Sequence, residues 1–313
     1  EKDLKEYKPV LRKPLTGQAL GMQVVTMPPP SSGGIALLQM LGFVERSRSS
    51  FADGWGSLKW VQTFAQAMQR AFADRASYLG DPDFAKVPVE ALLKPAYLDK
   101  RWEDADSRWQ TVSGGGLDDG DHTTHLSVVD RAGNAVALTT TINDAFGSGY
   151  VAPGTGIVMN SIMDDFSLDT VTPNMFGLLG NEANFVAPGK RPLSSMTPTI
   201  VRQGGEVRVV LGGAGWPRII TAVTQALLNR LVGVMSIADA VHAPRVHHQW
   251  KPEKLSFERG ALSPEVQLML GNWGLSVQEV PSSLARVYAL ERFAGGRVWA
   301  SPDPRGEGAA VAE

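Results

Sequence analysis

The sequence changes character abruptly between residues 113 and 123. Residues 113–121 read SGGGLDDGD, with four glycines, three aspartates and one apolar residue, and such a segment has too little apolar surface to pack against a core. The next stretch, 122–142, is rich in threonine, valine and other strand-forming residues on both sides of the sequence DRAGN. The pattern predicts an exposed linker that runs directly into a β-hairpin.

The register of this hairpin places two threonines opposite each other. With Gly133 in the left-handed position of a three-residue loop centred on Ala132, Thr123 lies directly across from Thr141. Cross-strand neighbours on one face are close enough for their hydroxyl groups to interact, whereas a slip of one residue would move Thr141 to the other face. Threonine is also common in strands for its shape alone, so the pair leaves a structural role open beside a catalytic one.

The linker before Thr123 suggests a chemical role for the pair. A flexible segment ahead of a strand is expected where a peptide bond is cut to expose a new N-terminal residue. A threonine hydroxyl is a weak nucleophile, but the α-amino group of an N-terminal threonine, with a usual pKa of about 7.7–8, can accept its proton. The sequence therefore predicts self-cleavage after His122, with Thr123 as the nucleophile.

Composition narrows the alternatives. The 313 residues are 43% hydrophobic and carry a net charge of -2 without a Lys/Arg block, which fits a folded chain and argues against a nucleic-acid partner. Cysteine is absent, so a thiol nucleophile, disulfides and cysteine zinc sites are excluded. The five histidines lack a metal-binding spacing, and residues 212–218 lack the third glycine of a nucleotide loop. We therefore expect neither a metal nor a cofactor.

The hydropathy and the N-terminus of the sequence bear on membrane insertion and on processing. No run of about 18 apolar residues is present, so we predict no membrane span. The N-terminus has neither an initiator methionine nor the apolar region of a signal peptide. We interpret the sequence as a fragment or a processed piece.

Apolar periodicity predicts a mixed fold. Ser57 is a plausible N-cap for a helix that buries Trp60, Phe64 and Phe72 and ends near Tyr78. Other helices are predicted from residue 35, from Pro217 and near 264–270, and strands at 22–27 and 206–211, the latter followed by a glycine turn at 212–215. Hairpins mixed with helices favour an α+β fold with a largely antiparallel sheet.

Several long motifs resemble the γ-glutamyltransferase family. They begin at the predicted nucleophile with TTHLSVVD (123–130) and continue with MDDFS (163–167), RPLSSMTPT (191–199), PRVHHQW (244–250) and DPR (303–305). Upstream, MPPPSSGG (27–34), ADR (73–75) and YLGDPDF (78–84) resemble the end of the large subunit of that family. The likeness covers essentially the whole sequence.

The resemblance implies the four-layer αββα sandwich of the N-terminal-nucleophile hydrolases. Residues 1–122 would be the C-terminal part of the large subunit, and 123–313 the complete small subunit. It also implies that the small subunit stays with its own cleaved large subunit, and that the enzyme acts in the periplasm or outside the cell.

The implied activity is cleavage of the γ-glutamyl amide of glutathione and related compounds, with water, an amino acid or a peptide as acceptor. Thr123 would form a γ-glutamyl ester, and Thr141 would orient its hydroxyl. Asn143 and Asp165 would bind the α-amino group of the substrate, and Ser194 and Ser195 would bind its α-carboxylate. Gly215 and Trp216 would stabilise the oxyanion. Residues 173–180 would form a lid that carries Phe176.

Three departures from the family pattern keep alternatives open. Ile162 stands where the family usually has glutamine or glutamate, and Trp216 replaces the second glycine of the oxyanion pair. The arginine that clamps the α-carboxylate in the family lies further toward the N-terminus than this sequence reaches. One alternative is a related acylase for less polar, glutaryl-type groups. The other is a non-catalytic remnant that folds or associates without maturing.

Overall fold

A computed structural model describes residues 2–103, 105, 109 and 123–312 of the chain. The helices are α1 (Lys2–Glu6), α2 (Gly33–Arg46), α3 (Leu58–Tyr78), α4 (Val89–Leu93), α5 (Pro95–Trp102), α6 (Arg218–Leu231), α7 (Ile237–His242) and α8 (Pro264–Trp273). The strands are β1 (Leu15–Ala19), β2 (Met22–Thr26), β3 (Thr123–Val129), β4 (Ala135–Thr141), β5 (Thr199–Gln203), β6 (Glu206–Ala214), β7 (Val246–His247), β8 (Leu255–Phe257), β9 (Val277–Glu279), β10 (Arg286–Arg292) and β11 (Val298–Ser301).

The main sheet is antiparallel and has six strands in the order β1-β2-β5-β6-β10-β11. β1 and β2 precede the linker, and the other four strands follow it. The two segments predicted to be parts of separate subunits therefore complete one sheet. The boundary at 122/123 stays a prediction, because residues 110–122 lie outside the described part of the chain.

One helical layer covers the main sheet. α2 and α6 pack on the same face of it, and α3 packs against α2. α3 begins as predicted, with the Ser57 hydroxyl accepting the Trp60 N–H at 3.4 Å. Trp60, Phe64 and Phe72 are buried in the main core, because their spacing places them on one side of the helix.

The hairpin has the predicted register. Thr123 faces Thr141 at one end, and Val129 faces Ala135 at the other. The Asp130 N–H donates to the Asn134 carbonyl at 3.0 Å across the loop, in which Gly133 has a φ of 88°. The register prediction is confirmed.

The hairpin forms a second β layer. Its inner face packs against β6 and β10, whereas Leu126, Val128, Val136 and Leu138 on the outer face are exposed. The described residues thus supply a helical layer and two β layers, and none of their helices covers the outer face of the hairpin.

The prediction of a glycine turn at 212–215 is wrong for its first three residues. β6 continues through Ala214, and the change of direction occurs only at Gly215 and Trp216. This strand needs a glycine at position 212 because a Cβ there would lie 2.2 Å from the Cε1 atom of His125. Gly212 is a strand residue that makes room for a side chain of the other β layer.

Two motifs that are distant in sequence meet in a buried ionic cluster. Arg245 donates to Asp303 at 2.6 Å, and Arg305 donates to Glu258 at 2.6 Å and to Asp303 at 3.0 Å. Asp303 also accepts the Val287 N–H at 2.6 Å. The cluster ties the C-terminal segment to β10 and to the loop before β7.

None of the helices that the structure describes is both long and apolar enough to cross a lipid bilayer.

Candidate active site

The nucleophile predicted from the sequence lies in a hydrogen-bonded pair. The Thr123 hydroxyl donates to Oγ1 of Thr141 at 3.2 Å, as the cross-strand register requires. Thr123 is partly exposed at the first residue of β3. His122, the residue predicted to precede the cleavage, lies outside the described residues.

Asn143 is connected to this pair through Thr141. Its N–H donates to Thr141 Oγ1 at 2.9 Å, and its side-chain Nδ2 donates to the Ser161 carbonyl at 3.2 Å. Asn143 is buried and has a φ of 78°, a conformation that asparagine tolerates better than most residues. The amide thus lies between the threonine pair and the short helical turn Ile162–Asp165.

The turn after β6 lies at the same end of the hairpin. Gly215 has a φ of 137°, which favours glycine, and Trp216 follows with a φ of 50°. Their carbonyls accept the N–H groups of Arg218 and Ile219 at 3.0 Å each, so the turn leads directly into the 14-residue helix α6. The N-terminus of such a helix favours negative charge, which suits an oxyanion site.

The side chain of Trp216 bridges the two regions. Its Nε1–H donates to the Asn143 carbonyl at 3.0 Å. Its ring lies 4.9 Å from the ring of Phe176, centroid to centroid. Trp216 and Phe176 are both buried, so the predicted oxyanion residue and the predicted lid residue are in direct contact.

Asp165 ends the helical turn that begins at Ile162. Removal of its carboxyl from water raises the pKa of Asp165 to about 7; the charge of Arg75 lowers it and that of Asp164 raises it further. Ile162 lies in the same turn, partly buried. The turn therefore presents one apolar side chain and one carboxyl group whose charge changes with pH near neutrality.

Ser194 is fixed by its backbone. Its N–H donates to the Pro30 carbonyl at 2.9 Å, and its carbonyl accepts the Ser32 N–H at 2.8 Å. Its hydroxyl accepts the Met196 N–H at 3.1 Å. Ser194 and Ser195 are partly buried, beside the N-terminus of α2, so hydroxyl donors lie next to a helix end that favours anions.

Two residues connect these groups, and the sequence reasoning missed both as site residues. Arg75 is buried in α3, and its Nε–H donates to the Ser32 hydroxyl at 3.1 Å, which in turn donates to the Ser194 carbonyl at 2.8 Å. Burial lowers the pKa of Arg75 to about 10, while Asp165 raises it, so Arg75 is a cation at neutral pH.

Asn184 provides the second connection. Its side chain donates to the Asp165 carbonyl at 2.9 Å and accepts the Leu193 N–H at 2.9 Å. The turn that carries Asp165 and the loop that carries Ser194 are thereby held together. Arg75 lies in the family-like motif at 73–75, but the contacts of Arg75 and Asn184 could not be predicted, because their partners lie far away along the chain.

All eight predicted site residues within the described chain therefore fall into one connected arrangement, as does Phe176 of the predicted lid. A hydroxyl nucleophile, a helix N-terminus, a carboxyl and a pair of serines suit acyl transfer from a substrate that carries both an amino and a carboxyl group. No group of three or more potential metal ligands occurs among residues 2–103, 105, 109 and 123–312.

A family model described as Gamma-glutamyltranspeptidase matches residues 1–313. The chain belongs to this family. It is 42% identical over 311 residues to the glutathione hydrolase proenzyme of Escherichia coli (strain K12), an alignment that covers 97% of the chain and 53% of that protein. The chain thus spans about half the length of the relatives it matches.

Other matches place the γ-glutamyltranspeptidase family beside acylases. The acylase ACY 1 proenzyme of Pseudomonas sp. (strain V22) is 39% identical over 249 residues, covering 78% of the chain and 42% of the relative. Among solved structures, a cephalosporin acylase from Bacillus halodurans superimposes with a TM-score of 0.79 at 24% identity, over 97% of the chain and 53% of that structure. This likeness shows the fold and agrees with the predicted N-terminal-nucleophile hydrolase fold, of whose four layers the described residues supply one helical layer and the two β layers.

Proposed function

We propose that the protein is a γ-glutamyl hydrolase and transferase that acts on glutathione and related γ-glutamyl amides. The observation that carries the proposal is the hydrogen bond from Thr123 to Thr141, at the first residue of a strand that follows the linker. Family membership supports the same reaction. The names of the relatives include the word proenzyme, which agrees with activation by cleavage.

Self-cleavage would come first. The Thr123 hydroxyl oxygen attacks the carbonyl carbon of His122, the peptide C–N bond breaks, and an ester replaces the amide. Water then hydrolyses the ester, which leaves a carboxylate on His122 and a free α-amino group on Thr123. The segment before residue 123 remains bound, because β1 and β2 are part of the same sheet as β5 and β6.

In turnover, Thr123 attacks the γ-carbonyl of the substrate, and its hydroxyl proton passes to its own α-amino group. The amide N–H groups of Gly215 and Trp216 stabilise the oxyanion at the N-terminus of α6. The leaving amine takes the proton, and a γ-glutamyl ester remains on Thr123. Water resolves this ester in hydrolysis, and an amino acid or peptide resolves it in transfer.

Substrate recognition would use charge at both ends of the α-amino acid group. Asp165 and Asn143 would hold the ammonium, and Ser194 and Ser195 would hold the carboxylate. Arg75 lies behind Ser194 and contributes positive charge on the carboxylate side. Phe176 would close the site as part of the lid, and we expect the enzyme to act in the periplasm or outside the cell.

A glutaryl-type acylase is the second candidate. Ile162 and the indole of Trp216 make the site less polar than the family pattern, and an acylase is among the 39%-identical relatives. A glutaryl group lacks the α-ammonium, so it would have no use for Asp165.

The two candidates are separated by comparing γ-glutamyl and glutaryl anilides as substrates of the protein encoded by the gene. We expect kcat/KM to favour the γ-glutamyl compound by at least about tenfold, the equivalent of one charge-assisted contact. A preference for the glutaryl compound would overturn the γ-glutamyl assignment. Loss of this preference in Asp165→Asn would show that the Asp165 carboxylate causes it. Failure of both substrates to react would favour the non-catalytic remnant.

A further inference from the structure

Trp216 is an unusual residue for the turn that it occupies. A tryptophan at a φ of 50° adopts a backbone conformation that bulky side chains rarely take. The residue bound by its indole, Asn143, also has a positive φ of 78°. A bulky residue in this conformation persists only where the surrounding contacts stabilise it. The indole therefore does something that a glycine at this position could not.

The indole contacts two functional segments at once. Through Nε1–H it binds the Asn143 carbonyl at 3.0 Å, and that residue binds Thr141 in turn. Through its ring face it contacts Phe176, which is only 6% exposed. A glycine would keep the backbone N–H for the oxyanion but would lose both of these contacts.

Near Phe176 the lid is also held by packing, because Phe176 and Leu178 are both buried in the main core. Within the lid, Asn174 accepts the N–H groups of Phe176 and Leu178 at 3.1 Å each, so the turn organises itself. One side-chain contact from outside is the Gln249 amide, which donates to the Phe176 carbonyl at 2.9 Å. The two rings also line a cavity of about 40 Å³. Trp216 therefore makes a direct aromatic contact that helps to hold the ring of Phe176 in this packed position.

From these contacts we infer that the indole of Trp216 is a latch: it holds the lid closed over Thr123 and keeps Asn143 in its substrate-binding position. Trp216 is thus a positioning residue whose side chain determines how firmly the donor is retained, separately from the oxyanion role of its backbone. The effect on the donor rests on the proposed γ-glutamyl reaction, whereas the closing of the lid does not.

The test of lid closure uses variants in a Thr123→Ala background, so that neither maturation nor turnover is needed. Limited chymotrypsin digestion, followed by mass spectrometry, measures the rate of cutting within residues 168–180. We expect Trp216→Phe, which loses the Nε1–H donor, to increase that rate about fivefold, in line with the loss of one hydrogen bond. Trp216→Gly should increase it further, because the ring contact is lost as well.

Trp102 offers a matched control. Its ring stacks on Phe43 at 5.0 Å, and its Nε1–H donates to Ser47 at 2.7 Å, so Trp102→Phe makes the same chemical change away from the lid. Cutting within the lid should not change in that variant. Equal rates in the Trp216 variants and the Trp102 variant would overturn the proposal.

The kinetic test uses the same substitutions in the processed enzyme. The latch predicts a KM for the γ-glutamyl donor that rises about fivefold in Trp216→Phe, with kcat within about twofold. A fall in kcat at unchanged KM would contradict it, because that result assigns the indole to the oxyanion step. If the parent enzyme turns over no γ-glutamyl donor, the proposed function fails, and the digestion rates still decide whether the latch exists.

Discussion

Asp165 is the residue at which charge and function are most directly connected. Its pKa near 7 results from burial, which Arg75 opposes and Asp164 reinforces. The carboxyl is therefore about half ionised near pH 7 and becomes increasingly protonated as the pH falls. A substrate ammonium needs the ionised form, whereas the protonated form offers it no negative charge.

We expect donor affinity to depend on pH through Asp165. The Ki of an unreactive γ-glutamyl analogue should rise by about tenfold per pH unit below 7 and level off above it. Asp165→Asn should bind weakly at every pH and show a flat profile. An unchanged acid limb in that variant would mean that another group controls binding.

At the scale of elements, the sequence predicted best where the signals are local. The hairpin register follows from its loop and from the strand preference of its residues, so the contact between Thr123 and Thr141 could be predicted. The turn at 212–215 could not, because Gly212 is needed for the ring of His125, which comes from a different β layer. The links made by Arg75 and Asn184 also depend on partners that are distant in the sequence, so these contacts could not be predicted.

The ring of His125 lies at the contact between the two β layers. His125 is buried, its ring nitrogens bind Thr139 and Ser127 at 2.8 and 3.0 Å, and burial lowers its pKa to about 4. Its ring therefore stays neutral at pH 7 and has no space to move when a methyl group is added at Gly212.

Gly212→Ala should accordingly destabilise the fold by about 1–3 kcal/mol, the usual cost of overpacking. Urea unfolding in the Thr123→Ala background measures it. Gly271 in α8 is the control, since a methyl group added there would have no neighbouring atom within 4 Å, and Gly271→Ala should be neutral or slightly stabilising. Equal stability of the two variants would show that the layers can separate to admit the methyl group.

At the scale of the whole molecule, an ionic cluster holds the C-terminal segment against β10 and the loop before β7. The cluster consists of Arg245, Glu258, Asp303 and Arg305. Burial alone would raise the pKa of Asp303, but the charges of Arg245 and Arg305 outweigh that effect and hold it below its usual value. A depressed carboxyl pKa stabilises the fold above the unfolded-state pKa of about 3.9, and this contribution is lost as the pH falls through the folded-state value.

Asp303→Asn should therefore cost about 3–5 kcal/mol near pH 7, because Arg245 would keep a buried charge without its counterion. The difference from the parent should shrink as the pH falls below about 3.9, as urea unfolding at several pH values would reveal. Glu6→Gln, at an exposed pair with Lys2, should change stability by less than about 0.5 kcal/mol. A similar small effect at Asp303 would show that the cluster adds little stability.

The proposal that Thr123 is the nucleophile of a self-processing enzyme is tested most directly by intact mass spectrometry at neutral pH. The wild-type protein encoded by the gene and its Thr123→Ala variant are incubated side by side. We expect two fragments in the wild type alone, one ending at His122 and the other beginning at Thr123. A single uncut chain in both samples, or cleavage that persists in Thr123→Ala, would contradict the proposal.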